Sequence, residues 1–134
     1  MILCAGTADQ ITAHARREAP VEACGYLAGT GDDILYYFPM TNTEKKTDHF
    51  RLDPREQFAA WKEARNRGLN ILGIYHSHPS SPAWPSEEDI RLAYDPTLVY
   101  VIVSIMEGKR TMRGFRITKG SVREEPLIIR ETQQ

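Results

Sequence analysis

The chain has 134 residues, 41% of them hydrophobic, with 17 basic against 18 acidic side chains and a formal net charge of -1. That length supports one domain with its own core, and the charge balance excludes the basic excess of a nucleic-acid or anionic-lipid surface. No apolar run approaches the ~20 residues needed to span a bilayer. Two cysteines, Cys4 and Cys24, are too few for a disulfide framework. The start M-I-L-C-A-G-T-A-D-Q has no basic n-region, so no signal peptide is expected, and a reduced, cytoplasmic protein is the expectation.

After a short apolar start, Thr7 to Gln10 fits a capping box, a hydroxyl at N-cap with Gln at N3. It predicts a helix through Arg16-Arg17 that stops before Pro20, with His14 facing solvent. Val21 to Gly29 reads as a strand, T-G-D-D as a turn and Ile34 to Phe38 as a second strand, together a hairpin. Residues 40–53 are polar and read largely as loop. Asp53, Pro54 and Glu56 take N-cap, N1 and N3 of the next helix. Phe58, Trp61, Ala64 and Arg65 give it one partly apolar face, and Gly68 stops it. Ile71 to Tyr75 reads as a strand, Ser86 to Ala93 as a short helix, and Leu98 to Met106 as a central strand buried on both faces. After a turn at Glu107-Gly108-Lys109, Met112 to Thr118 and Ser121 to Ile129 read as later strands of one sheet.

The chemistry gathers in Tyr75 to Asp89, Y-H-S-H-P-S-S-P-A-W-P-S-E-E-D. On a strand that runs on from Tyr75, residues two apart share a face, so His76 and His78 stand side by side and Ser77 points away. Two imidazoles on one face begin a Zn2+ site, since zinc takes nitrogen and carboxylate ligands. Pro79, Pro82 and Pro85 stiffen the loop that follows. Ser86 as N-cap makes Asp89 the N3 residue, whose carboxylate can point back at the strand; its other role is partner to the helix dipole. Two histidines and one carboxylate leave a fourth tetrahedral position for water, which is the pattern of a catalytic zinc. An activated water also needs a base. Glu87 and Glu88, at N1 and N2, face solvent on this reading. Glu22 sits in the apolar segment V-E-A-C-G-Y-L, where a buried carboxylate is costly without a partner; its alternative is an edge-strand acid facing water.

Glu22, then His76-Ser77-His78, seven residues, Ser86, two residues and Asp89 resemble the JAMM motif of the MPN-domain (Mov34) metalloproteases, E…H-[ST]-H-x7-S-x2-D, at every position. V-E-A-C-G-Y-L-A-G is also similar to the family's segment, and the resemblance covers roughly residues 1–118. It implies an α/β (α+β) fold: a cytidine-deaminase-like, curved, mostly antiparallel sheet flanked by helices, with residues 1–134 as a single domain. It implies one catalytic Zn2+ on His76, His78 and Asp89, with Glu22 as general base and then proton donor to the leaving amine. Ser86 is implied to stabilise the oxyanion, which requires one hydroxyl to accept as a cap and donate to substrate.

About eight residues separate Asp89 from Leu98, which leaves no room for the insertion that grips ubiquitin in eukaryotic deubiquitinases. The chain is therefore similar to the compact bacterial members. Those process ubiquitin-like sulfur-carrier proteins at a C-terminal Gly-Gly, by releasing cysteine in cysteine biosynthesis or by trimming a tail. The implied partner is such a carrier, with no nucleic acid and no membrane; a homodimer stays open. A side-chain-free tail suits a narrow groove and can add to a sheet edge. The alternatives are a deubiquitinase-like isopeptidase and a non-catalytic MPN interaction module. A cytidine-deaminase-type hydrolase would need a P-C-x-x-C pair, which the chain lacks. Trp84, between the ligands, either lines the substrate groove or wedges its loop against the body. Cys24 reads as a small buried thiol or one near the metal, and His49 as a loop histidine on the surface or at the site.

Overall fold

A computed structural model describes residues 1–131; the last three residues of the expected domain lie outside the described residues. Strand β1 (Ile2–Cys4) runs straight into helix α1 (Ala5–Glu18). Thr7 is not the cap that its spacing predicts. It lies inside the first turn, and its hydroxyl donates to the Leu35 carbonyl at 2.8 Å, so a tertiary acceptor has taken the group that capping would use. His14 is buried rather than solvent-facing, because α1 turns it inward to within 2.8 Å of the Tyr75 hydroxyl.

The predicted hairpin is present as β2 (Cys24–Thr30) and β3 (Asp33–Met40). β2 starts later than Val21, so Glu22 lies in the coil before it. Residues 41–53 form a loop with one bridge, Asn42 to Leu52. Helix α2 (Pro54–Asn66) begins as its sequence dictates, with the Asp53 carboxylate accepting from the Arg55 N–H at 2.8 Å. Its buried side is narrower than predicted. Ala60 and Ala64 face the sheet, while Phe58 and Trp61 are 67% and 58% exposed. At 100° per residue, Phe58 stands about 200° around the helix from Ala60, so both sets cannot face inward. Gly68, at a φ of +70°, ends the connection.

The chain continues through β4 (Asn70–His78), α3 (Glu87–Leu92), β5 (Val99–Ser104), β6 (Thr111–Thr118), β7 (Ser121–Glu125) and β8 (Ile128–Arg130). The single strand expected over Ser121 to Ile129 is thus two. Pro126 has no N–H for a ladder, and beyond it the chain crosses to the sheet's other edge. The eight strands form one sheet in the order β7-β6-β5-β4-β2-β3-β1-β8, antiparallel except at β4–β5, β1–β3 and β1–β8. Only Pro126 and Leu127 separate the two edge strands, so the sheet curls until the end of β7 lies near the start of β8. Where β8 joins β1, the Met1 ammonium donates to the Pro126 carbonyl at 2.7 Å and the Ile128 N–H to the Met1 carbonyl at 2.9 Å. The architecture is the α+β class expected, a curled mixed sheet with three helices. Among the described residues, no helix is long and apolar enough to cross a membrane.

β5 sets the core. Val99, Val101 and Val103 pack with Leu3, Ile11 and Tyr75 on the α1 side, and Tyr100 and Ile102 with Phe115 and Ile117 on the other, so its apolar run is buried on both faces. Backbones approach closely at Gly25. A Cβ there would meet the Phe38 carbonyl oxygen and lie 2.6 Å from Cε1 of the fully buried Tyr75 ring. Neither can move aside, so Gly25→Ala is expected to cost about 3 kcal/mol. A thermal melt checks this as a fall of roughly 10 °C; a change of a degree or two would mean that the sheet yields there.

Candidate metal centre

The pleat of β4 decides which side chains meet. Ile74, His76 and His78 point to the face that carries α2 and α3, and Tyr75 and Ser77 to the α1 face. Ser77 reaches back to the coil before β2. Its Oγ accepts from the Ala23 N–H at 2.8 Å, and its own N–H donates to the Ala23 carbonyl at 2.9 Å. This pair pins residue 23, and with it Glu22, beside the histidines.

The proline loop orients the second imidazole. His78 Nδ1 lies 2.8 Å from the Pro82 carbonyl. A carbonyl only accepts, so Nδ1 carries the proton and the Nε2 lone pair is free for a ligand. The Ser104 hydroxyl donates to the Ser81 carbonyl at 2.6 Å and ties this loop to β5. At its end Ser86 caps α3: its Oγ accepts from the Asp89 N–H at 3.0 Å, and its N–H donates to Asp89 Oδ2 at 2.9 Å. The reciprocal cap aims the Asp89 carboxylate back at β4 and leaves the Ser86 O–H without a role in the cap.

His76 Nε2, His78 Nε2 and Asp89 Oδ2 form a triangle with every side 3.1 Å. These side chains are 3%, 5% and 7% exposed. Tetrahedral zinc with bonds near 2.0 Å holds its ligands about 3.3 Å apart, so the donor set fits that ion. It fits chemically as well. Two imidazole nitrogens and a carboxylate oxygen have converged out of water, and one cation satisfies all three lone pairs. Among the described residues, no other group of three His, Cys, Asp or Glu gathers in this way.

The two carboxylates of the site are driven apart. Burial works against the charge on Asp89, but the imidazoles of His76 and His78, both 3.1 Å from Oδ2, prevail and hold its carboxyl well below the usual range. Burial dominates at Glu22 and lifts its pKa to about 8, with the charge of His78 pulling down and that of Asp89 pushing up. Glu22 is 3% exposed, and its Oε1 has no hydrogen-bond partner among the described residues. A buried, proton-hungry carboxyl beside a ligand cluster is suited to general acid–base work.

A groove of about 590 Å3 opens beside the cluster, lined in part by His49, Phe50, Leu52, His76, Glu88 and Asp89. Phe50 stacks on the His76 ring at 4.6 Å between centroids. His49 does reach the site: its Nδ1 lies 3.1 Å from Asp48 Oδ1 and 3.7 Å from Glu88 Oε1. Glu88 therefore turns into the groove instead of outward as its N2 position predicts. Trp84 is not among the residues that line the groove; it packs edge-on against Phe115 with centroids 5.1 Å apart. Cys24 is fully buried, and burial pushes its thiol up to about 12. Phe50 and Asn42 carry no signal in the sequence, since each sits in a polar loop with no periodicity to place it.

A family model described as prokaryotic homologs of the JAB domain matches residues 5–118. The chain belongs to this family. It is 39% identical to a CysO-cysteine peptidase of Mycobacterium tuberculosis, over 98% of this chain and 92% of that protein. It is 37% identical to a probable TtuB-protein conjugate cleaving protease of Thermus thermophilus, over 92% and 79%, and 36% identical to a desampylase of Haloferax volcanii, over 76% and 78%. A solution structure of a Desulfitobacterium hafniense protein superposes with a TM-score of 0.89 at 43% identity, covering 98% of this chain and 94% of that one. A crystal structure of a JAB1/MPN domain protein from Archaeoglobus fulgidus, 22% identical, shares the fold with a TM-score of 0.65 over 96% of each chain. The chain is thus a compact prokaryotic JAB protein of the JAMM/MPN kind.

Proposed function

We propose that this JAB protein is a zinc metallopeptidase. It hydrolyses the peptide bond after the C-terminal Gly-Gly of a ubiquitin-like sulfur carrier, and so releases cysteine or trims the tail. The observation that carries the reading is the 3.1 Å triangle of His76, His78 and Asp89 with the orphaned carboxyl of Glu22 beside it. Peptidase relatives matched over most of their length support a hydrolase acting on peptide bonds; one is named for CysO-cysteine and one for TtuB-protein conjugates. A complete ligand set argues against the non-catalytic module.

His76, His78 and Asp89 would hold the ion, which when bound would supply Lewis acidity to the scissile carbonyl and lower the pKa of water toward neutrality. Glu22 is the group that would accept a proton from the attacking water and return it to the leaving amine. The Ser86 hydroxyl, still free to donate while it caps α3, gives its hydrogen to the carbonyl oxygen as that atom gains charge. The tail would lie along residues 49–52. Arg51 spends its N–H on Asn42 Oδ1 and its carbonyl on the Thr43 N–H, and Leu52 bridges to Asn42, so the loop is fixed with Phe50 and Leu52 lining the groove. A Gly-Gly tail, with no side chains, would fit against that wall. We place the activity in the cytoplasm, where such carriers act.

The test is to incubate zinc-loaded protein with a ubiquitin-like carrier that ends in Gly-Gly-Cys and to read the intact mass. Loss of one cysteine residue with the wild type, and none with Glu22→Gln, is the expected result. No loss with zinc bound would move the reading to isopeptide substrates, which the conjugate-cleaving Thermus relative favours. No loss and no zinc would revive the binding module.

A further inference from the structure

We infer that Asn42 is a positioning residue that, from the side opposite the Ser77–Ala23 pair, fixes the backbone of Glu22 beside the metal centre and couples it to the groove loop. The inference rests on the reading of Glu22 as the base. Glu22 lies outside every strand, so no ladder holds it. Its N–H donates to the Lys46 carbonyl at 2.9 Å, and its carbonyl accepts from Asn42 Nδ2 at 3.1 Å. Both backbone groups are thus held by residues of the 41–53 loop.

Asn42 is 6% exposed and uses its whole amide. Nδ2 donates to Glu22 O and, at 3.0 Å, to His49 O; Oδ1 accepts from the N–H groups of Glu44 at 3.1 Å and Arg51 at 3.2 Å. Two carbonyls face the nitrogen and two N–H groups face the oxygen, so the amide has one orientation. Its two ends do different work. The oxygen shapes the loop's own turn. The nitrogen bridges the backbone of Glu22 to that of His49, whose neighbour Phe50 stacks on His76. Asn42 thus joins the base, the groove wall and a metal-ligand ring into one unit. Glu22 needs such a hold, because its carboxyl sits buried with Oε1 unpartnered and gains nothing locally from staying there.

Asn42→Asp separates the two ends, since it keeps the acceptor for Glu44 and Arg51 and removes both donors; Asn42→Ala removes everything. The first measurement is amide hydrogen exchange in the metal-free protein. In Asn42→Asp the Glu22 N–H is expected to exchange about tenfold faster, while the Ser77 N–H within β4 keeps its wild-type rate. The second is hydrolysis by the zinc-loaded enzymes, read at the plateau of each pH profile so that a shifted ionisation of Glu22 does not count. With zinc content and KM unchanged, kcat is expected to fall about tenfold or more in both variants, because a small misplacement of a base is costly. Wild-type exchange at Glu22, or a kcat for Asn42→Asp within about twofold of wild type, would overturn the inference. So would loss of the cooperative melt in Asn42→Asp, which would make Asn42 a residue of the fold. If the wild type hydrolyses no carrier, the proposed substrate fails, and the exchange measurement still decides whether Asn42 holds Glu22.

Discussion

Glu22→Gln is expected to abolish hydrolysis and, in the same stroke, to stabilise the metal-free protein at pH 8. The loss of a positioned general base costs about 10²–10⁴-fold in rate, and Gln, which fills the same volume, cannot take the proton. The gain in stability follows from the carboxyl's pKa. It ionises near 8 in the folded chain because burial disfavours its charge, against an ordinary value of 4.5. Between those two pH values the folded chain binds more protons than the unfolded one, so stability falls as pH rises through the window. The cost is absent below pH ~4.5 and reaches about 4 kcal/mol by pH 8. Gln carries no such charge. Melting curves of the two metal-free proteins should therefore lie close together at pH 5 and separate at pH 8, with the variant higher by roughly 12 °C. An active variant would remove Glu22 from the chemistry, and a variant that melts lower at pH 8 would mean that the wild-type carboxylate has a partner there.

The second large effect concerns Asp89, which is both a metal donor and half of a helix cap. Zinc at a thousandfold excess over its dissociation constant should stabilise the wild type by about 4 kcal/mol, a rise of roughly 12 °C in the melt. Asp89→Asn and Asp89→Ala should both lose that response, with bound zinc falling from about one ion per chain to near none. They should differ without metal. Both lose the charge that His76 and His78 hold ionised and should melt below wild type, but Asn keeps an oxygen for the Ser86 N–H, whereas Ala also removes the cap and should fall about 1 kcal/mol further. The measurements are metal analysis of dialysed protein and melts with and without zinc. Full zinc binding by either variant would remove Asp89 from the donor set.

The residues of the site differ in how far their sequence context reveals them. The donor triangle was readable because it is local: a strand's two-residue period places His76 and His78 together, and a helix cap places Asp89. Apolar runs bounded by turn residues likewise located β2 to β6, β5 by a run with no alternation at all. What the sequence hid was long-range. Thr7 carries every mark of a cap, yet its hydroxyl serves Leu35. His14 looks like a helix-surface residue until Tyr75 meets it. Ser121 to Ile129 reads as one strand because pairing partners cannot be seen from the segment itself. Asn42 was the least visible, since an Asn in a polar loop has the same appearance whether it hangs in water or holds a buried carboxyl's backbone.

The pairing of β1 with β8 governs how the chain must fold. β1 gains its second neighbour only from Ile128–Arg130, more than a hundred residues downstream. Such distant pairings carry a large loop-closure entropy before any contact rewards it, so this edge forms late and folding is slow for a chain of this size. During synthesis the N-terminal strand keeps one open edge until the final segment emerges. That interval, rather than the finished molecule, is when neighbouring copies can pair wrongly.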